Sequence, residues 1–328
     1  MKSILKGIFA IPALFAASLA VSVAHAETLT LYTSQPEADA AKTVEAFRKV
    51  NPDIDVQVYR SGTSDILSKL AAEFAAGAPQ PDVLLIADAV SMEALKKDKR
   101  LRAYEKADVE GFPADSYDPE KTYFGSKLIT TGIAYNSAAA AKPQHWADLA
   151  KPDYKGQIVM PSPLYSGAAA YLLSGFALNP DLGWDYFEKL KENELVSVRG
   201  NGAVLKSVAS GEKPYGILVD FMALNAKAKG SPVEFVFPSE GVPAVTEPVA
   251  IMATTKNPEG AEKFVDFILS DDGQKLALEQ GYLPAKASVG RPAWLPEGTQ
   301  VKIMPIDTQK VLQQTDADKK RFSELFGG

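Results

Sequence analysis

The stretch that most constrains the fold of this chain runs from Ile54 to Phe74. Ile54-Asp55-Val56-Gln57-Val58-Tyr59 alternates apolar and polar residues, Ser61-Gly62-Thr63-Ser64-Asp65 follows, and Ile66, Leu67, Leu70 and Phe74 then recur at helical spacing. A strand period followed by a helix period predicts a strand that passes through a tight, hydroxyl-rich turn into a helix. The first N–H groups of such a helix have no acceptor within it, and its dipole adds positive potential at the same end. Gly62 lets the backbone approach a ligand closely, and Ser61, Thr63 and Ser64 add hydroxyl donors. A turn of this kind can hold a phosphate or carboxylate without a formal cation. Taken alone, it also reads as an ordinary N-cap.

The construction recurs. The strand Gln157-Ile158-Val159-Met160 opens into Pro161-Ser162-Pro163-Leu164-Tyr165-Ser166-Gly167, ahead of a small-residue helix beginning at Ala168. Ser162, Ser166 and Gly167 are the donors there. A third version is Arg199-Gly200-Asn201-Gly202 before the helix Ala203–Val208, with Asn201 as the side-chain donor. Several helix N-termini converging from two sides would grip an anion in a cleft.

The remaining pattern is α/β. Thr28–Tyr32 reads as a first strand and Ala38 to Val50 as a helix ended by Asn51-Pro52. Asp82–Ile86 reads as a fully buried strand and Gly132–Asn136 as another. Strands alternating with helices imply mainly parallel sheets covered by helices, which bind ligands beyond the carboxyl ends of the strands. The loops Thr33–Glu37, Ser61–Asp65 and Ala87–Ser91 belong at that end, and Ser34 and Gln35 join the ligand-binding candidates. Asp88 reads as a helix cap, with a carboxylate facing the cleft as the alternative. Tyr165 and Phe221 read as core or rim packing, with an apolar cleft wall as the alternative. Arg199 is a cation near a cleft loop, solvated or linked to phosphate.

The chain starts with an export leader: Lys2 and Lys6, an almost wholly apolar run from Gly7 to Val23, then Ala24-His25-Ala26 as a small-x-small cleavage site. Cleavage after Ala26 would leave a periplasmic protein starting at Glu27. The absence of cysteine among 328 residues excludes disulfides, thiolate chemistry and a lipid-attachment site. With 35 basic against 41 acidic residues and no basic run, neither nucleic acid nor an anionic membrane is an expected partner. A chain of this length usually divides into two lobes.

Several phrases, in their order along the chain, then carry a resemblance. They are Leu31-Tyr32-Thr33-Ser34-Gln35, Pro81-Asp82-Val83, Gly132-Ile133-Ala134-Tyr135-Asn136, Trp146-Ala147-Asp148-Leu149 through Lys155-Gly156, Glu247-Pro248-Val249-Ala250-Ile251, and Phe267 through Gln274. Together they resemble the periplasmic solute-binding proteins of ABC importers, in the group containing ferric-ion, 2-aminoethylphosphonate and hexose-phosphate binders. The likeness spans essentially the whole chain after the leader. It implies a type II two-lobed α/β fold, each lobe a mainly parallel sheet flanked by helices, hinged on strands that cross near Lys127–Ile133 and Glu247–Met252. Residues 1–26 would be the signal peptide, and residues 27–128, continued by about 249–285, lobe 1. Residues 129–248, joined by about 286–328, would form lobe 2. The implied protein is a monomer without a cofactor that delivers its solute to an inner-membrane ABC permease.

Ferric binders of the group use adjacent tyrosines from the second lobe. Asp220-Phe221 stands at the matching place here, and after leader removal the one histidine is His145, so a hard-metal site would rest on carboxylates alone. Asp220 resembles instead the acidic residue that holds hydroxyl or amino groups in the hexose-phosphate binders, with a solvated loop carboxylate as the alternative. Glu247 is a second such candidate or a hinge residue. A small organophosphate or phosphonate, anionic at one end and bearing hydroxyl or ammonium groups at the other, fits both halves. A ferric or polyamine binder and an exported hydrolase are the rival readings. The hydrolase lacks a Gly-x-Ser-x-Gly elbow and has one histidine to serve as base.

Overall fold

The computed structural model describes residues 27–295, 297–298 and 300–327. The expected leader lies outside the described residues. The first lobe opens with β1 (Glu27–Thr33), α1 (Glu37–Val50), β2 (Ile54–Arg60), α2 (Thr63–Ala75), β3 (Val83–Leu85), α3 (Ala89–Lys97) and β4 (Leu101–Arg102). The long β5 (Phe124–Asn136) leads into β6 (Ile158–Pro161), α4 (Gly167–Leu178), α5 (Gly183–Glu192), β7 (Val196–Val198), α6 (Asn201–Ser210), β8 (Tyr215–Val219), α7 (Asp220–Ala228) and β9 (Val233–Val236). β10 (Ala244–Met252), α8 (Pro258–Leu269), α9 (Asp271–Glu279), β11 (Leu283–Pro284) and α10 (Thr308–Phe326) complete the chain.

Helical spacing explains how each lobe is sealed. α1 buries Ala40, Thr43, Val44 and Phe47 on one stripe. The Phe47 ring meets Phe264 and Phe267 of α8 edge-on, with centroids 5.0 and 5.8 Å apart. α4 is different: its small residues are buried almost all round, so it runs through the interior of the second lobe. Gly175 in α4 admits the Ile306 side chain where a Cβ would come within 2.5 Å of it. Trp146 is fully buried in the same lobe, packed on Phe176 and donating its indole N–H to the Gly241 carbonyl. The last helix, α10, packs on α4 and α5 and also on α3 of the first lobe.

One continuous strand joins the two sheets. In the first, the order is β2-β1-β3-β10-β5, with β1 parallel to β2 and β3 and β10 antiparallel to β3 and β5. β5 pairs with β10 up to Thr130, then from Thr131 onward with β8 and β9 of the second sheet. There β6 lies parallel to β7 and β8. The first crossing thus falls inside the expected Lys127–Ile133. Glu247–Met252, expected as the second crossing, pairs with β3, β4 and β5 within the first sheet, so the return lies before Ala244. β3 and β5 together commit β10 to the first lobe.

The junction is polar and buried. The β5–β10 register slips between Thr246 and Pro248, so that Glu247 faces both Ser126 and Lys127. Lys127 Nζ and a Glu247 carboxylate oxygen lie 2.8 Å apart, with both side chains about as buried as the core. Gln35 Nε2 donates to the same oxygen and Ser126 Oγ to the Glu247 carbonyl. Lys127 Nζ also sits 3.8 Å from the centroid of the Tyr282 ring, which packs at a tilt of 31° on Phe221 with centroids 4.0 Å apart. Further along β5, Thr130 Oγ1 donates to Asp220, whose other oxygen accepts from the Phe221 amide.

Two outcomes follow from this junction. Lys127→Met strands the Glu247 charge and is expected to lower stability by about 3–5 kcal/mol, whereas adding Glu247→Leu should recover much of that loss. Urea melts of the single and double variants check this, and a double variant no better than the single would contradict it. Asp220 responds to pH. Burial lifts its carboxyl to about 7, outweighing the hydrogen bonds from Thr130 and Phe221. The folded chain therefore keeps a proton that the unfolded chain releases above about pH 4, and this group's contribution to stability falls as pH rises to about 7. Asp220→Asn is expected to raise Tm more at pH 8 than at pH 5; an equal change at both would exclude this titration.

Candidate functional site

A cleft of about 420 Å³ lies between the two sheets, and its wall draws on both lobes. Its composition follows from topology, because β1, β2, β6, β7 and β8 all end there and the helices that follow begin there. Pro36 and Glu37 start α1, and Gly62 and Thr63 start α2. Ser166, Gly167 and Ala168 start α4, Gly200 to Ala203 start α6, and Val219, Phe221 and Met222 start α7. Five helices thus turn their positive ends toward one space. α6 has no side-chain cap at all, so its first amides are open to an outside acceptor.

The hydroxyls in the wall are arranged to donate. Ser166 Oγ accepts from the Ala169 amide and from Asn201 Nδ2, which leaves its own proton for a third partner. Ser34 Oγ accepts a single bond, from the Ala87 amide, and also keeps its proton. Asn201 Oδ1 is buried with no donor, and would take one from a solute hydroxyl or ammonium group. Two arginines line the cleft: Arg60 Nε donates to the Gln35 carbonyl, and Arg199 pairs with Asp65 at 2.9 Å.

Of the twelve ligand-binding candidates read from sequence, seven line the cleft: Ser34, Gly62, Thr63, Ser166, Gly167, Asn201 and Glu247; Arg199, Tyr165 and Phe221 line it as well. The other five candidates are engaged elsewhere. Gln35 is buried behind the wall against Glu247, and Ser61 Oγ donates to Asp65. Ser64 gives its amide to the Tyr165 carbonyl, and Ser162 Oγ accepts from the Leu164 amide within its own turn. Asp220 faces Thr130 at the junction rather than the cleft. Gly62 is filled by a protein group, the Tyr165 ring, at the place where close approach of a ligand is expected. Asp88 does cap α3, through Ser91.

Sequence reasoning missed Arg60, Ile129 and Tyr282 in the wall and Lys127 behind it. Tyr282 comes from a distant loop, and no local pattern marks it. Its hydroxyl donates to Asp39, and burial holds it protonated far above its ordinary range, which makes it a poor phenolate ligand for a hard cation. His145 lies outside the cleft wall and exposed. Ser239 and Glu240 both meet the same ring nitrogen, Nδ1, so the three do not form the relay of a serine hydrolase.

Comparison with known proteins agrees with this architecture. Residues 78–310 match the family model described as bacterial extracellular solute-binding protein. A probable ABC transporter periplasmic-binding protein, y4fP of Sinorhizobium fredii, is 26% identical over 319 residues, covering 90% of this chain and 85% of that one. The spermidine/putrescine-binding periplasmic protein of Escherichia coli is 27% identical over 207 residues, 60% of this chain and 58% of its own length. Among solved structures, the periplasmic binding protein AfuA of Actinobacillus pleuropneumoniae superposes with a TM-score of 0.83 at 23% identity, covering 92% of this chain and 98% of that one. This likeness gives the fold: the two-lobed α/β architecture of periplasmic binding proteins. With more than half of its length matched by the family model, the chain belongs to the bacterial extracellular solute-binding proteins.

Proposed function

We propose that this protein is the periplasmic solute-binding component of an ABC importer, and that its solute is a small organophosphate or phosphonate. The observation that carries the ligand class is the convergence of five helix N-termini on one cleft. In this reading the anion sits against the first-turn amides of α2, α4 and α6, with the Thr63 and Ser166 hydroxyls donating to it. The hydroxyl or ammonium end of the solute meets Asn201 Oδ1, Ser34 and Glu247. Two lobes, divided where β5 changes sheets after Thr130 and where the chain returns before Ala244, close on it by bending β5 where it passes between sheets. The closed form then docks on an inner-membrane permease. The name of the Sinorhizobium relative supports the transport role, and AfuA was solved with exogenous fructose-6-phosphate bound.

A second reading, polyamine binding, has the Escherichia coli relative in its favour. A polyamine needs carboxylates free to pair with its ammonium groups. The cleft wall offers Glu37 and Glu247, and the second is already neutralised by Lys127. The phosphate reading therefore fits the electrostatics better.

The test is a thermal-shift screen of the chain from Glu27, unfolded and refolded to strip co-purified solute. Fructose 6-phosphate, glycerol phosphates, 2-aminoethylphosphonate, inorganic phosphate, spermidine, putrescine and ferric citrate form the panel. An organophosphate or phosphonate is expected to raise Tm by an amount growing with the logarithm of its concentration. In Thr63→Ala/Ser166→Ala that shift should shrink to what about a tenfold or weaker affinity gives, two charge-assisted hydrogen bonds being removed. A shift with polyamines or iron alone would overturn the assignment.

A further inference from the structure

Tyr165, in the turn before α4, is gripped from both lobes. Its ring lies in a slot between two glycines: a Cβ on Gly62 of the first lobe would come within 2.4 Å of Cε2, and one on Gly200 of the second within 2.9 Å of Cε1. The two glycines thus flank opposite edges of the ring. The Arg199 guanidinium stands over the ring, 4.7 Å from its centroid, and reaches across to Asp65 of α2 at 2.9 Å. From the first lobe, Arg60 Nη1 donates to the Tyr165 hydroxyl at 3.4 Å, and the Ser64 amide donates to its carbonyl at 3.3 Å. Side chain, main chain and ion pair therefore cross between lobes at one residue.

We propose that Tyr165 is an interlobe latch, seated in the Gly62–Gly200 slot and held by Arg60, Arg199 and Asp65. Each of the contacts named joins two protein groups and needs no solute atom, so the latch is expected to keep a fraction of molecules closed before solute binds. The proposal rests on the two-lobed binding reading, but not on which solute is bound. Gly62 has φ −67° and ψ 155°, a conformation that any residue adopts, so alanine there strains no backbone. The three atoms nearest its methyl group would all belong to the Tyr165 ring. The glycine is thus required by the partner lobe and not by its own turn.

The test measures interlobe distance without solute. The chain contains no cysteine, so Lys42→Cys in α1 and Lys206→Cys in α6, both exposed, take a pair of spin labels cleanly. Double electron–electron resonance on stripped protein is expected to show a short-distance population. Gly62→Ala should reduce it about fivefold or more, as overpacking the slot would. Tyr165→Ala should reduce it likewise, and Gly62→Ala/Tyr165→Ala should match Tyr165→Ala alone. No short-distance population in the unsubstituted pair, an unchanged distribution in Gly62→Ala, or a further loss in the double variant would each overturn the latch. Because no solute enters this experiment, its failure leaves the thermal-shift result standing, and the converse also holds.

Discussion

The structure depends on a buried ion pair placed where the two lobes meet. Lys127 and Glu247 face each other across a bulge between β5 and β10, and each is tied to a further group: Lys127 to the Tyr282 ring, Glu247 to Gln35 and Ser126. Burying two charges is costly unless both are paired and hydrogen-bonded, so the geometry of this junction is narrowly set. An apolar junction would carry no such pairing requirement. The pair fixes β10 against β5, and that pairing positions everything strung between them. Gln35 links it to the loop that starts α1, and Tyr282 and Phe221 link it to the wall of the cleft.

From that junction the cleft follows almost by topology. Parallel strands end on the same side, and helices begin where strands end, so a two-sheet protein gathers its helix N-termini along the line between sheets. The side chains refine this field rather than create it. Ser166 has its acceptor capacity filled by two neighbouring donors and Ser34 accepts from one, and both keep a proton to donate. Asp65 adds a negative charge to the first turn of α2, but Ser61 and Arg199 occupy it. The proposed anion seat therefore leans on α4 and α6 more than on α2, the helix whose turn is most conspicuous in the sequence.

Periodic features were legible in the sequence because burial on one face imposes them. The Ile54 strand, the Ile66 helix and the buried Asp82–Ile86 run stand close to where the spacing puts them. The site was legible where a small or hydroxyl residue opens a helix, as at Thr63, Ser166, Gly167 and Asn201. It misled where a hydroxyl serves its own turn, as Ser162 and Ser61 do, since short polar side chains compete for nearby partners. Asp220 and Gln35 were drawn inward by the junction, which no local pattern announces. Lys127 stands at the edge of the expected crossing, but nothing local marks it as buried, and its partner lies on a strand far along the chain. Arg199 and Tyr165 were visible as residues but not as a pair spanning the lobes, because that relation exists only once both lobes are in place.

The central claim is that helix N-termini, not side-chain cations, hold the solute. Transverse relaxation-optimised NMR of deuterated, ¹⁵N-labelled protein, titrated with fructose 6-phosphate and 2-aminoethylphosphonate, tests it most directly. Amides that donate to an anion move downfield. The account predicts that one of the two compounds produces such shifts at Thr63, Gly167, Ala168, Asn201 and Gly202, larger than those at any other amide. Shifts centred on Glu37 and Glu247, or none in the first turns of α2, α4 and α6 with either compound, would contradict it.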